Sequence, residues 1–110
     1  MKTINVSIRN IKHGEGCTII EPCNLYECVL ADNVFIGPFT EIQKNTIIGS
    51  NTKIQSHTFI CELVNIGNDC FIGHGVMFIN DKFHNNGPAS GDKTLWEDTK
   101  IGNNVSIGSN

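Results

Sequence analysis

From Leu30 to Phe78 an aliphatic or aromatic residue returns at every sixth position: Leu30, Ile36, Ile42, Ile48, Ile54, Ile60, Ile66, Ile72 and Phe78. Four places after each of the first eight stands a small or β-branched residue, namely Val34, Thr40, Thr46, Thr52, Thr58, Val64, Cys70 and Val76. One place after many of them comes another small residue, often glycine: Ala31, Gly37, Gly49, Cys61, Gly67 and Gly73. An amphipathic helix would space its apolar residues by three and four, and a half-buried strand would alternate by two. Period six with β-branched residues and recurrent Gly and Asn predicts very short strands joined by tight turns, glycine supplying the positive φ that turns require. Three hexads then close one triangular coil, each strand pairing with its counterpart about 4.8 Å away on the next coil. Residues eighteen apart stack, placing Ile36 over Ile54 over Ile72 in an inward ladder. The expectation is an all-β solenoid held together by neighbouring coils. A β-sandwich fits poorly, because its strands recur at about 8 to 12 residues.

The pattern also divides the chain. Ile19 and Leu25 are six apart but Leu25 and Leu30 only five, which predicts a looser first coil within the coiled region 17–79. Residues 1–16 show a short alternation, "INVSI", and read as a capping segment over the open end of the stack. Between Phe78 and Ile101 the period fails. Residues 80–100, rich in Asn, Gly, Asp and Lys, read as one long loop projecting from a corner, with Phe83 and Trp96 to pack it on something. The repeat resumes in residues 101–110 as the start of a further coil, truncated at Asn110. One domain accounts for all 110 residues.

The same register places the polar residues. Glu62 lies two past Ile60 and Asn80 two past Phe78, so they share a column, with Asp81 beside it where the long loop departs. One corner earlier, His57 lies three past Ile54 and His74 two past Ile72. Carboxylates, imidazoles and an amide on adjacent coils are what a proton-handling cleft needs, a base together with a donor that orients the acceptor group. Two carboxylates one strand spacing apart would also raise the pKa of one of them by repulsion. Each residue has a plainer role open to it. Asn80 and Asp81 can start the loop through an Asx turn, His74 between two glycines can be a solvated turn residue, and His13 and His84 stack on no other polar group.

Composition narrows the partners. A formal charge of −3, with one arginine and seven scattered lysines, leaves no basic stripe for a nucleic acid. Five cysteines without CxxC spacing read as buried free thiols of the cytoplasm, neither a disulfide framework nor a zinc site, and no other metal cage is implied. The N-terminus "MKTINVSIRNIKHG" has no apolar signal core, and nowhere do the ~20 apolar residues of a membrane span occur.

The order aliphatic, small, two variable, small, variable, from about residue 30 to 79 and again in "IGNNVSIGSN", resembles the hexapeptide-repeat acyltransferases. That resemblance implies a left-handed parallel β-helix, a handedness that periodicity does not supply. It also implies acetyl-CoA as acyl donor and a homotrimer whose sites lie between prisms, with the long loop reaching toward a neighbouring subunit. Within that family, "KIQSHTFICE", "IGHGVMFIND" and "KIGNNVSIGSN" are similar to sugar-nucleotide N-acetyltransferases acting on nucleotide-linked 3-amino-3,6-dideoxyhexoses for surface polysaccharides such as lipopolysaccharide. By this likeness Asp81 and Glu62 would hold the amine and take its proton, Asn80 and His74 would contact the amino-sugar nucleotide, and His57 is a competing base. Two alternatives stay open: an O-acetyltransferase of the same fold using His57 or His74, and a non-catalytic truncated β-helix.

Overall fold

The computed structural model describes residues 1–4, 7–83 and 86–110. The chain winds as a prism of parallel strands. The first coil carries β1 (Ile8–Arg9), β2 (Lys12–His13) and β3 (Thr18–Ile19), and the second β4 (Asn24–Tyr26), β5 (Val29–Leu30) and β6 (Phe35–Ile36). The third is β7 (Glu41–Ile42), β8 (Ile47–Ile48) and β9 (Lys53–Ile54), and the fourth β10 (Phe59–Ile60), β11 (Val64–Ile66) and β12 (Phe71–Ile72). A parallel bridge from Phe59 to Met77 opens a fifth coil. After the long loop, β13 (Thr99–Ile101) pairs on β11 and β14 (Ser106–Ile107) on β12. The three faces are the sheets β1-β4-β7-β10, β2-β5-β8-β11-β13 and β3-β6-β9-β12-β14. This is the left-handed parallel β-helix.

The inward ladder forms as the period requires. Ile36, Ile54 and Ile72 are registered partners and fully buried, as are Leu25, Ile42, Ile48 and Ile60. The small residues four places on are buried too, and the threonines among them hydrogen-bond their hydroxyls. Thr46 Oγ1 donates to Cys61 O at 3.2 Å, Thr52 to Gly67 O at 2.8 Å and Thr58 to Gly73 O at 3.0 Å. These bonds let a hydroxyl sit in the core without leaving a buried polar group unpaired.

Several details depart from the sequence reading. The terminal segment covers the end of the stack by joining it, β1 and β2 being in register on β4 and β5. The five-residue step from Leu25 to Leu30 trims one corner, so that Asn24 pairs with Glu41 while Leu25 and Leu30 stay buried, and a second such step, from Ile8 to His13, sets Ile8 on Leu25. Residues 101–107 start no further coil; they supply the second and third sides of the one that Met77 and Phe78 open.

The recurrent glycines do not hold the left-handed corners. Those fall two residues later, at Asn33, Phe39, Asn45, Asn51, His57, Leu63, Asp69 and Gly75. Gly49 is needed because a Cβ there would lie 2.4 Å from the carbonyl carbon of Gly67 on the next coil, and at Gly37 one would lie 2.7 Å from Ser56 N. Close stacking, not φ, selects glycine at this place in the hexad.

Candidate functional site

The corner after β10 gathers the predicted acidic residues. Glu62 and Asn80 are buried one above the other, and Asn80 Nδ2 donates to Glu62 O at 3.1 Å. The Glu62 backbone N–H donates to Gln43 Oε1 at 3.2 Å from the coil before, and Gln43 Nε2 in turn donates to Glu41 Oε2 at 3.0 Å. The Glu62 backbone is thus fixed from both neighbouring coils. Its carboxylate accepts Lys93 Nζ at 3.1 Å on one oxygen and 3.2 Å on the other.

Asp81 turns to the loop. Its Oδ1 accepts the N–H of Phe83 at 2.9 Å and its Oδ2 that of Ala89 at 2.7 Å, while its backbone forms an antiparallel bridge to Trp96. Glu97 N donates to Asn80 O at 2.8 Å, closing the base of the loop. Glu62 is thus held by an ammonium, and Asp81 by two backbone amides, that of Phe83 completing an Asx turn. Within the loop Asp92 caps a short 3-10 turn, Lys93–Leu95, which delivers Lys93 to Glu62 and lays its Nζ 5.3 Å from the centre of the Trp96 ring. Phe83 remains 59 % exposed and packs less than the sequence led one to expect. Beside this corner lies an open cleft of about 340 Å³ whose apolar wall is Phe59, Phe78, Phe83 and Trp96 and whose polar rim includes Gln43, Asn80 and Asp81.

The histidines sit at the preceding corner, across the width of β10. His57 takes a left-handed φ of 63° and is exposed, its ring 5.0 Å from Phe39 on the coil before. His74 is exposed, and its backbone bonds to Ser109 and Asn110. His13 is exposed as well, and His84 lies outside the described residues. Within one chain the fold thus gathers Glu62, Asn80 and Asp81, and places His57 and His74 apart from them on another edge.

All five cysteines are free thiols, and burial holds Cys23, Cys28 and Cys61 above the usual thiol range, Cys28 at about 11. Cys17 is half-buried. Among the described residues no three His, Cys, Asp or Glu side chains converge as metal ligands, and no helix is long and apolar enough to cross a membrane.

Gln43, Lys93 and Tyr26 are not singled out by the sequence reading. Gln43 belongs to the repeat, one past Ile42, and the register could have found it. Lys93 and its partnership with Trp96 could not be found that way, because both lie in the aperiodic segment. Tyr26 borders the same edge, its hydroxyl held above the usual range by burial and then by the charges of Glu41 and Glu62.

No curated protein sequence matches the chain significantly. Residues 27–62, which run from the corner before β5 to the acidic corner itself, match the family model described as Bacterial transferase hexapeptide (six repeats). The stretch of the repeat from residue 27 to Glu62 is therefore similar to the hexapeptide repeat of bacterial transferases.

Proposed function

We propose that the protein is an acetyl-CoA-dependent N-acetyltransferase whose acceptor is a nucleotide-linked amino sugar of surface polysaccharide synthesis, acting as a cytoplasmic homotrimer. The observation that carries the reading is the buried Glu62 carboxylate, which grips the Lys93 alkylammonium with both oxygens and is bonded to Asn80, a lining residue of the open cleft. An acceptor amine reaches the site as a cation and must lose a proton before it can act as a nucleophile. A carboxylate Oε of Glu62 both holds that cation and takes the proton. Asn80 steadies Glu62 through its backbone carbonyl, and Asp81 is a positioning residue that shapes the cleft by pinning the loop.

Acetyl-CoA, when bound, supplies an acetyl thioester with an electrophilic carbonyl carbon. The wall of Phe59, Phe78, Phe83 and Trp96 suits the methylene and methyl groups of a pantetheine arm, with Gln43 and Asn80 beside it for the amides. The lysines of the loop are already paired, Lys82 with Glu97 at 3.6 Å and Lys93 with Glu62, so the phosphate-bearing end draws no support from them. His57 and His74 carry the hydroxyl-acceptor reading, being exposed on one edge with ring nitrogens open to substrate.

The test is an acceptor panel with acetyl-CoA, following thiol release and product mass. Amide products and a loss of about 100-fold or more in kcat/KM for Glu62→Gln are expected, with His57→Asn within a fewfold of the parent. Asn suits the left-handed backbone at position 57, so that variant keeps the fold. Ester products lost in His57→Asn would replace this reading with O-acetylation, and no transfer to any acceptor alongside no binding of acetyl-CoA would leave a non-catalytic β-helix.

A further inference from the structure

The contact between Lys93 and Glu62 joins two unlike halves. The Glu62 side chain is 10 % exposed, whereas that of Lys93 is 52 % exposed and rises from a 3-10 turn with no buried residue. The ammonium is gripped by a carboxylate and an indole face although half of the side chain that carries it stays in solvent. Carboxylate and aromatic face are together the chemistry that receives a primary ammonium group.

Glu62 cannot simply be vacated. A carboxylate this buried, stripped of its counter-charge, is strongly penalised, so whatever replaces Lys93 must itself bring a cation. Lys93, by contrast, can be released at little expense, because its side chain is already half in solvent and its freed ammonium regains full hydration in water.

We propose that Glu62 and Trp96 form a receptor for a primary ammonium ligand, and that Lys93 is its resident occupant in the ligand-free chain, displaced when an amine enters. The inference rests on the reading of Glu62 as the amine-holding residue and adds a regulatory element to it. Lys93 acts as a tethered competitor. It lowers the apparent affinity for every amine by the fraction of time it is seated, and it excludes neutral ligands, which cannot compensate the charge they would uncover. The site is thereby kept closed to sugars that lack an amine, and the loop that carries Lys93 is loosened by the right ligand.

The chain has a single tryptophan, Trp96, so its fluorescence reports this cradle alone. Glucosamine is titrated into the full chain as the probe, with glucose as the neutral control. A saturable change with glucosamine and none with glucose is expected. Lys93→Met, which keeps the stem and removes the charge, should tighten glucosamine by about fivefold, the scale of one half-exposed ion pair. Lys93→Arg should keep an affinity near that of the parent, and Glu62→Gln should lose binding.

Equal affinity in the parent and Lys93→Met would overturn the self-occupancy. So would an equal response to glucose, or binding that survives Glu62→Gln. The acceptor panel judges the proposed function separately: amide formation with unchanged glucosamine affinity in Lys93→Met leaves the acetyltransferase standing and removes Lys93 from it. Lys93→Arg keeps the counter-charge on Glu62, and because Lys93→Met uncovers it, the thermal unfolding of that variant is measured beside the parent's.

Discussion

Gly49 and Gly102 occupy the same place in their hexads, one residue after Ile48 and Ile101, yet they meet different surroundings. A Cβ on Gly49 would collide with the backbone of Gly67, whereas one on Gly102 would have nothing within 4 Å. Gly49→Ala should therefore lower stability by about 1–3 kcal/mol, because two rigid backbones must part. Gly102→Ala should change it by less than about 0.5 kcal/mol, and urea denaturation of the two variants side by side reads the difference. At this scale the recurrence of glycine is legible in the sequence while its cause is not. Periodicity cannot distinguish a need for positive φ from a need for close stacking, and the left-handed corners in fact include Phe39 and Leu63, side chains that pattern reading would keep away from positive φ. Neighbouring coils hold these residues in place through bonds such as Phe39 N to Pro22 O at 2.7 Å.

Among the elements, the prism and its loop obey different rules. Each strand is only two or three residues long and gains its stability from the strand one coil away, so within the uninterrupted repeat counting along the chain locates the columns, including the one shared by Glu62 and Asn80. The loop owes its shape to Asp81, which accepts two backbone N–H groups that no ladder provides for. Asp81→Ala should leave those amides unpaired, at about 1–3 kcal/mol of local stability. Native-state hydrogen exchange should show Ala89 losing protection about tenfold or more while the Ile48 amide is unchanged. Retained protection at Ala89 would mean that the Trp96 bridge and the Glu97 bond hold the loop by themselves. The aspartate was identifiable from its place after Phe78, but its partners were not, since they come from residues with no period.

For the molecule as a whole, the stacked core is one cooperative body whose thiols set an upper limit on pH. Burial pushes the Cys28 thiol up from 9.0 to about 11. A raised thiol pKa means that the folded chain keeps the proton more tightly than the unfolded one. Its contribution is fully present below about pH 9 and is lost as pH climbs through about 11. Cys23 and Cys61, also raised by burial, and Tyr26 act in the same direction. The urea midpoint should fall steadily over that interval, and Cys28→Ala should flatten part of the slope; a midpoint constant to pH 11 would contradict the burial of these thiols as ionisable groups.

The sequence by itself determined the period, the inward ladder, the parallel stacking and the shared column of Glu62 and Asn80, because in a solenoid near-uniform sequence separation maps onto spatial neighbourhood. What lay outside that mapping was decided by the tertiary structure alone. The loop's return brings Lys93 across 31 residues to Glu62, seats it against Trp96 and turns Asp81 away to backbone amides. Charge pairing and backbone hydrogen bonding settle such contacts once the chain has closed on itself, and neither leaves a periodic trace in the order of the residues.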